Sequence, residues 1–199
     1  MYPANFTSQV SMFDMEMRPN ATSGNPGHTY KFYTGTPVYE FGYGLTYSQF
    51  NVTTSGPSSV SLSAVNAGLA SSVPMHEQSP LGTVTVTVTN NGPLESDYTV
   101  LVFAVSALYL VMVCVRKCCE CVVLLVQAGG NPVPAGNDPI KSLFGFERVH
   151  LSVGASISVD FPTPASVYSR VLASGEREGV SGVWRIQTEG AADWEVTVQ

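Results

Sequence analysis

The sequence predicts a mainly β protein: an antiparallel β-sandwich preceded by an extended, aromatic-rich N-terminal segment. Residues 83–89 are Thr-Val-Thr-Val-Thr-Val-Thr, a strict alternation of β-branched residues that is typical of a half-buried strand. Further short alternating runs follow, separated by turns rich in Gly, Pro and Asn, as in sandwich folds. Outside one apolar run, no segment has the period of a helix.

The first fifty residues combine aromatic side chains with turn formers. Gly and Pro residues interrupt any helical period, so this stretch is expected to be extended or looped. It has aromatic surface but no second layer to bury that surface against, and it cannot fold alone. The aromatic rings either stack on sugar rings or pack between the sandwich and another domain. The set comprises Tyr30, Phe32, Tyr33, Tyr39, Phe41, Tyr43, Tyr47 and Phe50.

Residues 51–81 are expected to be a linker, because Ser, Ala, Gly and Pro dominate most of this stretch. The sandwich is expected over residues 82–199. Its first strand, 83–89, places the valines inward and ends at the turn Asn90-Asn91-Gly92-Pro93. The other predicted strands are 98–104, 141–151, 155–161, 183–187 and 194–198. The inward positions predicted in the third and fourth strands are Leu143, Val149, Leu151, Ile157, Val159 and Phe161.

One segment does not fit a sandwich. Residues 98–115 form an 18-residue run without a charged side chain, and Arg116-Lys117 follow it. Three interpretations stay open for residues 105–127: a retained intron, since the ends of this stretch can be encoded by splice-site consensus sequences; a genuine apolar insertion; or a membrane helix. Its cysteines lie within eight residues and cannot join distant parts of a fold; they are Cys114, Cys118, Cys119 and Cys121.

Composition and spacing exclude several classes of function. The chain has 9 basic and 15 acidic residues and a net charge of −6, so it has no basic cluster for nucleic-acid phosphates. His28, His76 and His150 are too scattered for a metal site or a catalytic triad. Gly42-Tyr43-Gly44-Leu45 lacks the remaining features of a phosphate loop, and no cofactor is expected. Trp184 and Trp194 are expected in the core or at its rim.

Three Asn-X-Thr sequons are possible N-glycosylation sites, at Asn5, Asn20 and Asn51. The N-terminus has no basic region followed by an apolar stretch, so no signal peptide is recognised. The sequons together favour a secreted, extracellular protein, with a true start that lies upstream of Met1.

Three long motifs carry a family resemblance. They are Met12-Phe13-Asp14-Met15-Glu16-Met17-Arg18-Pro19, then Gly24-Asn25-Pro26-Gly27-His28-Thr29-Tyr30-Lys31-Phe32-Tyr33, then Val38-Tyr39-Glu40-Phe41-Gly42-Tyr43-Gly44-Leu45-Thr46-Tyr47-Ser48-Gln49-Phe50. They closely resemble the C-terminal part of glycoside hydrolase family 3, and the β-xylosidase branch fits best. Residues 137–149 resemble the matching stretch of the fibronectin type III-like domain of those enzymes.

The resemblance implies a domain organisation. Residues 1–50 correspond to the tail of the family's α/β sandwich domain, 51–81 to a linker, and 82–199 to the fibronectin type III-like domain, interrupted at about 105–127. Family members hydrolyse β-linked saccharides by a retaining mechanism with two carboxyl groups. Both groups lie upstream of the match, and Asp14, Glu16 and Glu40 match positions outside that pair, so no catalytic residue is expected here. His28 stands where the family usually has Arg, which puts any ion pair there in doubt.

The expected function is that of an accessory module of a secreted family 3 glycosidase acting on xylo-oligosaccharides, inactive on its own. Its implied partners are the barrel and α/β sandwich domains of the parent enzyme, and an oligo- or polysaccharide is a further candidate. Two other hypotheses are a carbohydrate-binding module and a protein tethered to a membrane through residues 98–115, although the context of that run disfavours a membrane. A nucleic-acid partner is not expected.

Overall fold

The protein is an antiparallel β-sandwich in the computed structural model, which describes residues 1–74, 77–106, 138–172 and 174–199. One sheet has three strands in the order β1-β3-β6, and the facing sheet has five in the order β2-β10-β9-β4-β5. A hairpin, β7-β8, lies beside them. The strands are β1 Phe50–Ser55, β2 Ser59–Val60, β3 Thr83–Asn90, β4 Ser96–Ser106, β5 Ser142–Leu151, β6 Ser156–Pro162, β7 Ser169–Val171, β8 Arg177–Gly179, β9 Gly182–Thr188 and β10 Trp194–Val198. The α-helices are α1 Phe6–Gln9, α2 Thr29–Phe32 and α3 Leu62–Ala70, and a 3₁₀ helix spans Ala165–Tyr168.

Strand β3 confirms the prediction made from its alternation. Val84, Val86 and Val88 are fully buried, and the intervening threonines face away from the core. β3 is the middle strand of its sheet and pairs antiparallel with both β1 and β6. Alternating valines therefore supply the central row of one sandwich face.

The five-stranded sheet supplies the opposing half of the core. β4 pairs with β5 on one side and with β9 on the other. Its neighbours β9 and β10 pair antiparallel, whereas β2 joins the edge of β10 in parallel. The inward side chains of this sheet include Val100, Val102, Ala104, Val149, Leu151, Trp184, Ile186, Val196 and Val198. Both tryptophans match their prediction: Trp184 is in the core, and Trp194 packs against it partly exposed.

The predicted turn after β3 links the two sheets through a buried asparagine. Asn90 Nδ2 donates to the carbonyl oxygens of Leu94 (2.8 Å) and Leu151 (3.0 Å), and its Oδ1 accepts from the Gly92 N–H (2.8 Å). Gly92 has φ +86°, a conformation that favours glycine. All polar groups of this fully buried side chain are thus engaged, as burial requires.

Residues 50–70 correct the expectation of a linker over 51–81. β1 and β2 pair with β3 and β10, and α3 packs on the 3₁₀ helix and on β8. Val52, Val60 and Val65 are buried. The small residues around them let α3 approach closely: a Cβ on Gly68 would lie 2.7 Å from the Ala165 Cβ. The high Ser and Ala content of this stretch predicted a linker, but three spaced valines attach it to the sandwich.

Two predicted inward positions differ for identifiable reasons. A β-bulge shifts the β4–β5 register between Val102 and Phe103, so Leu143 pairs with Phe103 on the outer face and is only half-buried. Ile157 lies opposite Val88 on the inner face but is 40% exposed, because β6 is an edge strand. Of the other predicted positions, Val149, Leu151 and Phe161 are buried and Val159 is partly buried.

The anomalous segment lies mostly outside the described residues. Residues 98–106 of the apolar run belong to β4, where Val105 and Ser106 pair with Arg185 and Trp184 of β9. Residues 107–137, which include all four cysteines, lie outside the described residues. The three interpretations of the segment therefore stay predictions. Within the described ranges, no helix is long and apolar enough to span a membrane.

On the outer face of β4 and β5, Asp97 joins two basic side chains. His150 Nδ1 donates to Asp97 Oδ1 (2.7 Å), and Arg148 Nε donates to Oδ2 (3.0 Å). The hydrogen bonds from His150, then from Arg148, hold the pKa of Asp97 below its ordinary value of 3.8.

A depressed folded-state pKa contributes stability above the unfolded-state value, and this contribution is lost as the pH falls through the folded-state value. We therefore expect Asp97→Asn to lower the melting temperature at neutral pH, with a difference from the parent that disappears as the pH falls below about 3.8. Thermal melts across pH 2–8 measure this. Glu195→Gln, which breaks the exposed ion pair with Arg185, is the control. A pH-independent loss in Asp97→Asn would contradict the role of the carboxylate.

Candidate functional site

The candidate site lies on the outer face of the five-stranded sheet, where the N-terminal segment docks. Leu101 and Phe103 of β4 point outward, because Val100, Val102 and Ala104 point inward. Phe146 of β5 pairs with Leu101 on the same face. Phe146 is 70% exposed, whereas Phe103 is 4% exposed. Something other than the sandwich core therefore covers Phe103.

Two aromatic rings of the N-terminal segment provide that cover. Tyr30 of α2 and Phe41 stack on each other with centroids 4.5 Å apart. Their centroids lie 5.8 and 6.1 Å from that of Phe103, in edge-to-face geometry. Lys141 Nζ lies 4.7 Å from the centroid of the same ring. Edge-to-face pairs and a cation over a ring are both favourable arrangements of aromatic groups.

Polar contacts hold the segment in register with the sheet. The Ile140 N–H donates to the Lys31 carbonyl (2.6 Å), and Lys141 Nζ lies 3.3 Å from Glu40 Oε2. Gly42 has φ +98°, and a Cβ at this position would lie 2.6 Å from Leu101 Cδ1. A side chain at position 42 would be strained by this backbone conformation and would displace the tip of the Leu101 side chain, so glycine favours close docking.

A second aromatic cluster packs within the first 33 residues. The rings of Tyr2 and Phe6 stack at 4.0 Å, and both meet Tyr33 and His28 edge-on. His28 Nε2 is buried, and the described residues offer it no hydrogen-bond partner. His28, which the resemblance places where an Arg is usual, is therefore a member of an aromatic cluster in this structure.

Between the segment and the sheet lies a cleft of about 570 Å³. Its lining includes Tyr39 and Tyr43, whose rings stack at 4.9 Å. It also includes Gln187 and Asp193, and Gln187 Nε2 donates to Asp193 Oδ2 (3.1 Å). A lining that combines flat apolar surface with fixed amide and carboxylate groups is suited to a ligand with apolar faces and hydroxyl groups. The remaining lining includes Leu101, Phe103, Lys141, Glu40, Phe41 and Glu189.

The eight predicted aromatic residues do not form one platform. Tyr30 and Phe41 contact the sheet, Tyr33 belongs to the second cluster, and the ring of Phe32 lies 5.2 Å from Arg18 Cζ. Phe50 in β1 packs on Tyr98, with centroids 4.8 Å apart. Tyr39 and Tyr43 line the cleft half-exposed, and Tyr47 is almost fully exposed.

Sequence reasoning missed Phe103 and Leu101 as site residues. Their apolar character within a central strand suggested core positions on both faces. The signal that could have found Phe103 is strand alternation. Phe103 lies between Val102 and Ala104, which point inward, so its own side chain points to the outer face.

The motif carboxylates have local structural roles. Asp14 Oδ1 accepts from the Glu16 N–H (3.0 Å), a bond that is the main cause of the lowered pKa of Asp14. Glu16 Oε2 accepts from Asn20 Nδ2 (2.7 Å), and Glu40 pairs with Lys141. None of the described residues gathers into a group of three or more potential metal ligands. His150 is held by Asp97, and His76 is outside the described residues.

Phe103→Ala is expected to release the N-terminal segment from the sheet, because it removes the surface on which Tyr30 and Phe41 pack. Limited proteolysis should cleave residues 29–43 at least severalfold faster than in the parent chain. Phe146→Ala is the matched control, since it removes an exposed phenylalanine from the same face and should leave the rate unchanged. Equal rates in the parent and Phe103→Ala would show that Phe103 does not hold the segment.

Comparison with known proteins gives curated relatives and solved structures, whereas no protein-family model matches the chain. The exo-1,4-beta-xylosidase xlnD of Emericella nidulans is 35% identical over 179 residues, which cover 88% of this chain and 19% of the relative. A probable exo-1,4-beta-xylosidase xlnD of Aspergillus fumigatus is 42% identical over 111 residues, covering 52% of this chain. The chain thus spans about a fifth of the length of the Emericella nidulans xylosidase that it matches.

Solved structures agree with these relatives. A GH3 exo-beta-xylosidase, XlnD, in complex with a xylobiose aziridine activity-based probe matches all of this chain and 23% of its own, with a TM-score of 0.73 and 31% identity. A beta-glucosidase of Chaetomella raphigera has a TM-score of 0.57 at 22% identity, a likeness in fold alone. In sequence and in fold, the chain matches the C-terminal part of the exo-β-xylosidases of glycoside hydrolase family 3.

Proposed function

We propose that the chain is the C-terminal accessory module of a secreted family 3 glycosidase that acts on β-linked saccharides, with xylo-oligosaccharides as the substrate class. Its sandwich is the fibronectin type III-like domain of that enzyme, and its N-terminal segment is the tail of the preceding α/β sandwich domain. The observation that carries this proposal is apolar surface concentrated on the N-terminal segment and left uncovered.

The exposed apolar strip, defined as Met12, Phe13, Met15, Leu45 and Tyr47, is the main part of this surface. Each of these side chains is more than four-fifths exposed, whereas the apolar side chains of the sandwich core are buried. Large apolar side chains that are exposed and concentrated on one segment of a folded chain indicate an interaction site. All five residues lie in the motifs shared with the family, and the relatives extend far beyond this chain. The barrel and α/β sandwich domains of the parent enzyme are therefore the proposed partners.

In the described residues, each of the motif carboxylates has a local hydrogen-bonding or ionic partner. A retaining glycosidase needs a nucleophile and an acid/base about 5–5.5 Å apart. Asp14, Glu16 and Glu40 instead bind a backbone N–H, an asparagine amide and a lysine. The proposed division of labour leaves the chemistry to the other domains and gives this chain the role of covering and bracing them.

The cleft beside Tyr39 and Tyr43 supports a second candidate, a carbohydrate-binding module. Its stacked rings present flat apolar surface, and the Gln187–Asp193 pair presents fixed hydrogen-bonding groups. Sugar rings combine apolar C–H faces with hydroxyl groups, so the cleft matches their chemistry. Retention of the chain on insoluble xylan, lost in Tyr43→Ala, would favour this candidate.

As an accessory module, the chain alone should not hydrolyse an aryl β-xyloside, and it should bind a dye that fluoresces in apolar surroundings. Replacing Met12, Phe13 and Met15 together with Ser should reduce the dye signal severalfold, because most of the strip is removed. The matched control is Phe146→Ser with Val153→Ser, which removes exposed apolar side chains of the sandwich. Turnover by the pure chain, or a dye signal unchanged by the triple replacement, would contradict the proposal.

A further inference from the structure

The outer face of the three-stranded sheet carries an array of small polar side chains, three on each strand. The pairing registers align them in three rows, and the array comprises Asn51, Thr53, Ser55, Thr85, Thr87, Thr89, Ser156, Ser158 and Asp160. We call this the hydroxyl face. No member of the array is aromatic, aliphatic or basic, so the face resembles neither core surface nor a protein-docking surface.

Hydrogen bonds within the hydroxyl face run mainly between β3 and β6. The Thr87 and Ser158 hydroxyls lie 2.8 Å apart, those of Thr89 and Ser156 lie 2.7 Å apart, and Thr85 donates to Asp160 Oδ1 (2.6 Å). None of these bonds uses Asn51 or Thr53 of β1. On the β1 side of the hydroxyl face, the side chains of Asn51 and Thr53 therefore take no part in these cross-strand bonds. In the described part of the chain, β1 is an edge strand.

Asn51 and Thr53 are the first and last residues of an Asn-X-Thr sequon within this edge strand. Val52 between them points into the core, so the asparagine and the threonine both point outward and are exposed. Across the strand pair, Asn51 lies opposite Thr89, whose side chain is short. A large group attached to Asn51 Nδ2 would thus extend over small polar side chains without displacing any core residue.

The sequon at Asn20 has a different environment. Asn20 Nδ2 donates to Glu16 Oε2 (2.7 Å), and Oδ1 accepts from the Thr22 N–H (2.9 Å). Its backbone N–H donates to the carbonyl of Asn25, which is itself buried. A substituent on Asn20 Nδ2 would replace one of its two hydrogens and would crowd the Glu16 carboxylate, which lies against this nitrogen. Asn5, which precedes α1, is exposed, as Asn51 is. The contrast in environment is therefore the one between Asn51 and Asn20.

We propose that Asn51 carries an N-linked oligosaccharide that lies over the hydroxyl face. In this transfer, Asn51 Nδ2 forms a bond to the anomeric carbon of a polyprenyl-diphosphate-linked oligosaccharide. The bond from that carbon to the diphosphate breaks, the polyprenyl diphosphate leaves with the electron pair, and the amide proton passes to a base of the transferase. The proposal rests on the secretion proposed above, because the donor and the enzyme belong to the secretory pathway.

The glycan would also protect an exposed sheet edge. Among the described residues, β1 pairs only with β3, so its outer backbone groups form a template for a strand of another chain. The described residues of β1 carry no lysine or proline, the residues that commonly block such edges. A hydrated oligosaccharide at Asn51 would supply this protection by steric exclusion.

The test is expression of the full chain in a eukaryotic host, with a secretory leader and a C-terminal tag that contains an efficiently used sequon. N-glycanase treatment in heavy-oxygen water converts each occupied asparagine to labelled aspartate, and peptide mass spectrometry measures occupancy. We expect most chains to be labelled at Asn51 and few at Asn20. Thr53→Ala should abolish labelling at Asn51, while Thr53→Ser should retain it. Thr87→Ala, which removes a neighbouring hydroxyl and keeps the sequon, should leave occupancy unchanged.

Asn51 left unmodified in chains whose tag is glycosylated would overturn the proposal, because the tag shows that the chain met the transferase. The leader imposes secretion, so this result is independent of whether the parent enzyme is secreted. Labelling at Asn51 that persists in Thr53→Ala would equally overturn the assignment to the sequon.

Discussion

The attachment of the N-terminal segment to the sandwich depends on one side chain that faces away from the core. Phe103 lies on the outer face of β4, yet Tyr30 and Phe41 leave only 4% of it exposed. Burying a phenylalanine contributes roughly 1.5–3 kcal/mol, a large share of the stability of a small domain. The Ile140–Lys31 hydrogen bond and the Lys141–Glu40 ion pair lie beside this contact and fix its register.

This attachment decides which surfaces are open to a partner. Because Tyr30 and Phe41 are used internally, the uncovered apolar surface lies elsewhere on the segment, in the exposed apolar strip. The cleft beside Tyr39 and Tyr43 forms only because the segment is held against the sheet. The hydroxyl face lies on the other sheet, and the core separates it from the cleft. The molecule therefore presents two chemically different outer faces, one apolar and aromatic and the other polar and small.

The sandwich could be predicted where one local pattern was enough. The alternation in β3 specified strand, face and burial together, and the Asn90 turn followed from its residue types. The prediction was wrong where non-local pairing decides the outcome. Val52, Val60 and Val65 are isolated among small polar residues, and only pairing with β3 and β10 or packing on the 3₁₀ helix makes them core. The position of Leu143 depends on a bulge that alternation along β5 does not show.

The sequence predicted the aromatic residues of the site but not their arrangement in space. Sequence reasoning identified the aromatic set and its need for a second layer, but it could not assign Tyr30 and Phe41 to the sheet and Tyr47 to solvent. That division depends on Phe103, which lies more than sixty residues away in the chain. Such a contact joins residues that are far apart in the sequence, so neither segment contains a periodic pattern that predicts it.

A double-mutant cycle between Phe41 and Phe103 tests this account most directly. The exchange rate of the Ile140 amide hydrogen reports opening of the segment, because this N–H donates to the Lys31 carbonyl across the contact. Phe41→Ala, Phe103→Ala and the double variant should give a coupling energy of roughly 0.5–1.5 kcal/mol, the range for aromatic pairs. Additive effects of the two substitutions, with a coupling energy near zero, would contradict the claim that this aromatic contact holds the segment on the sandwich.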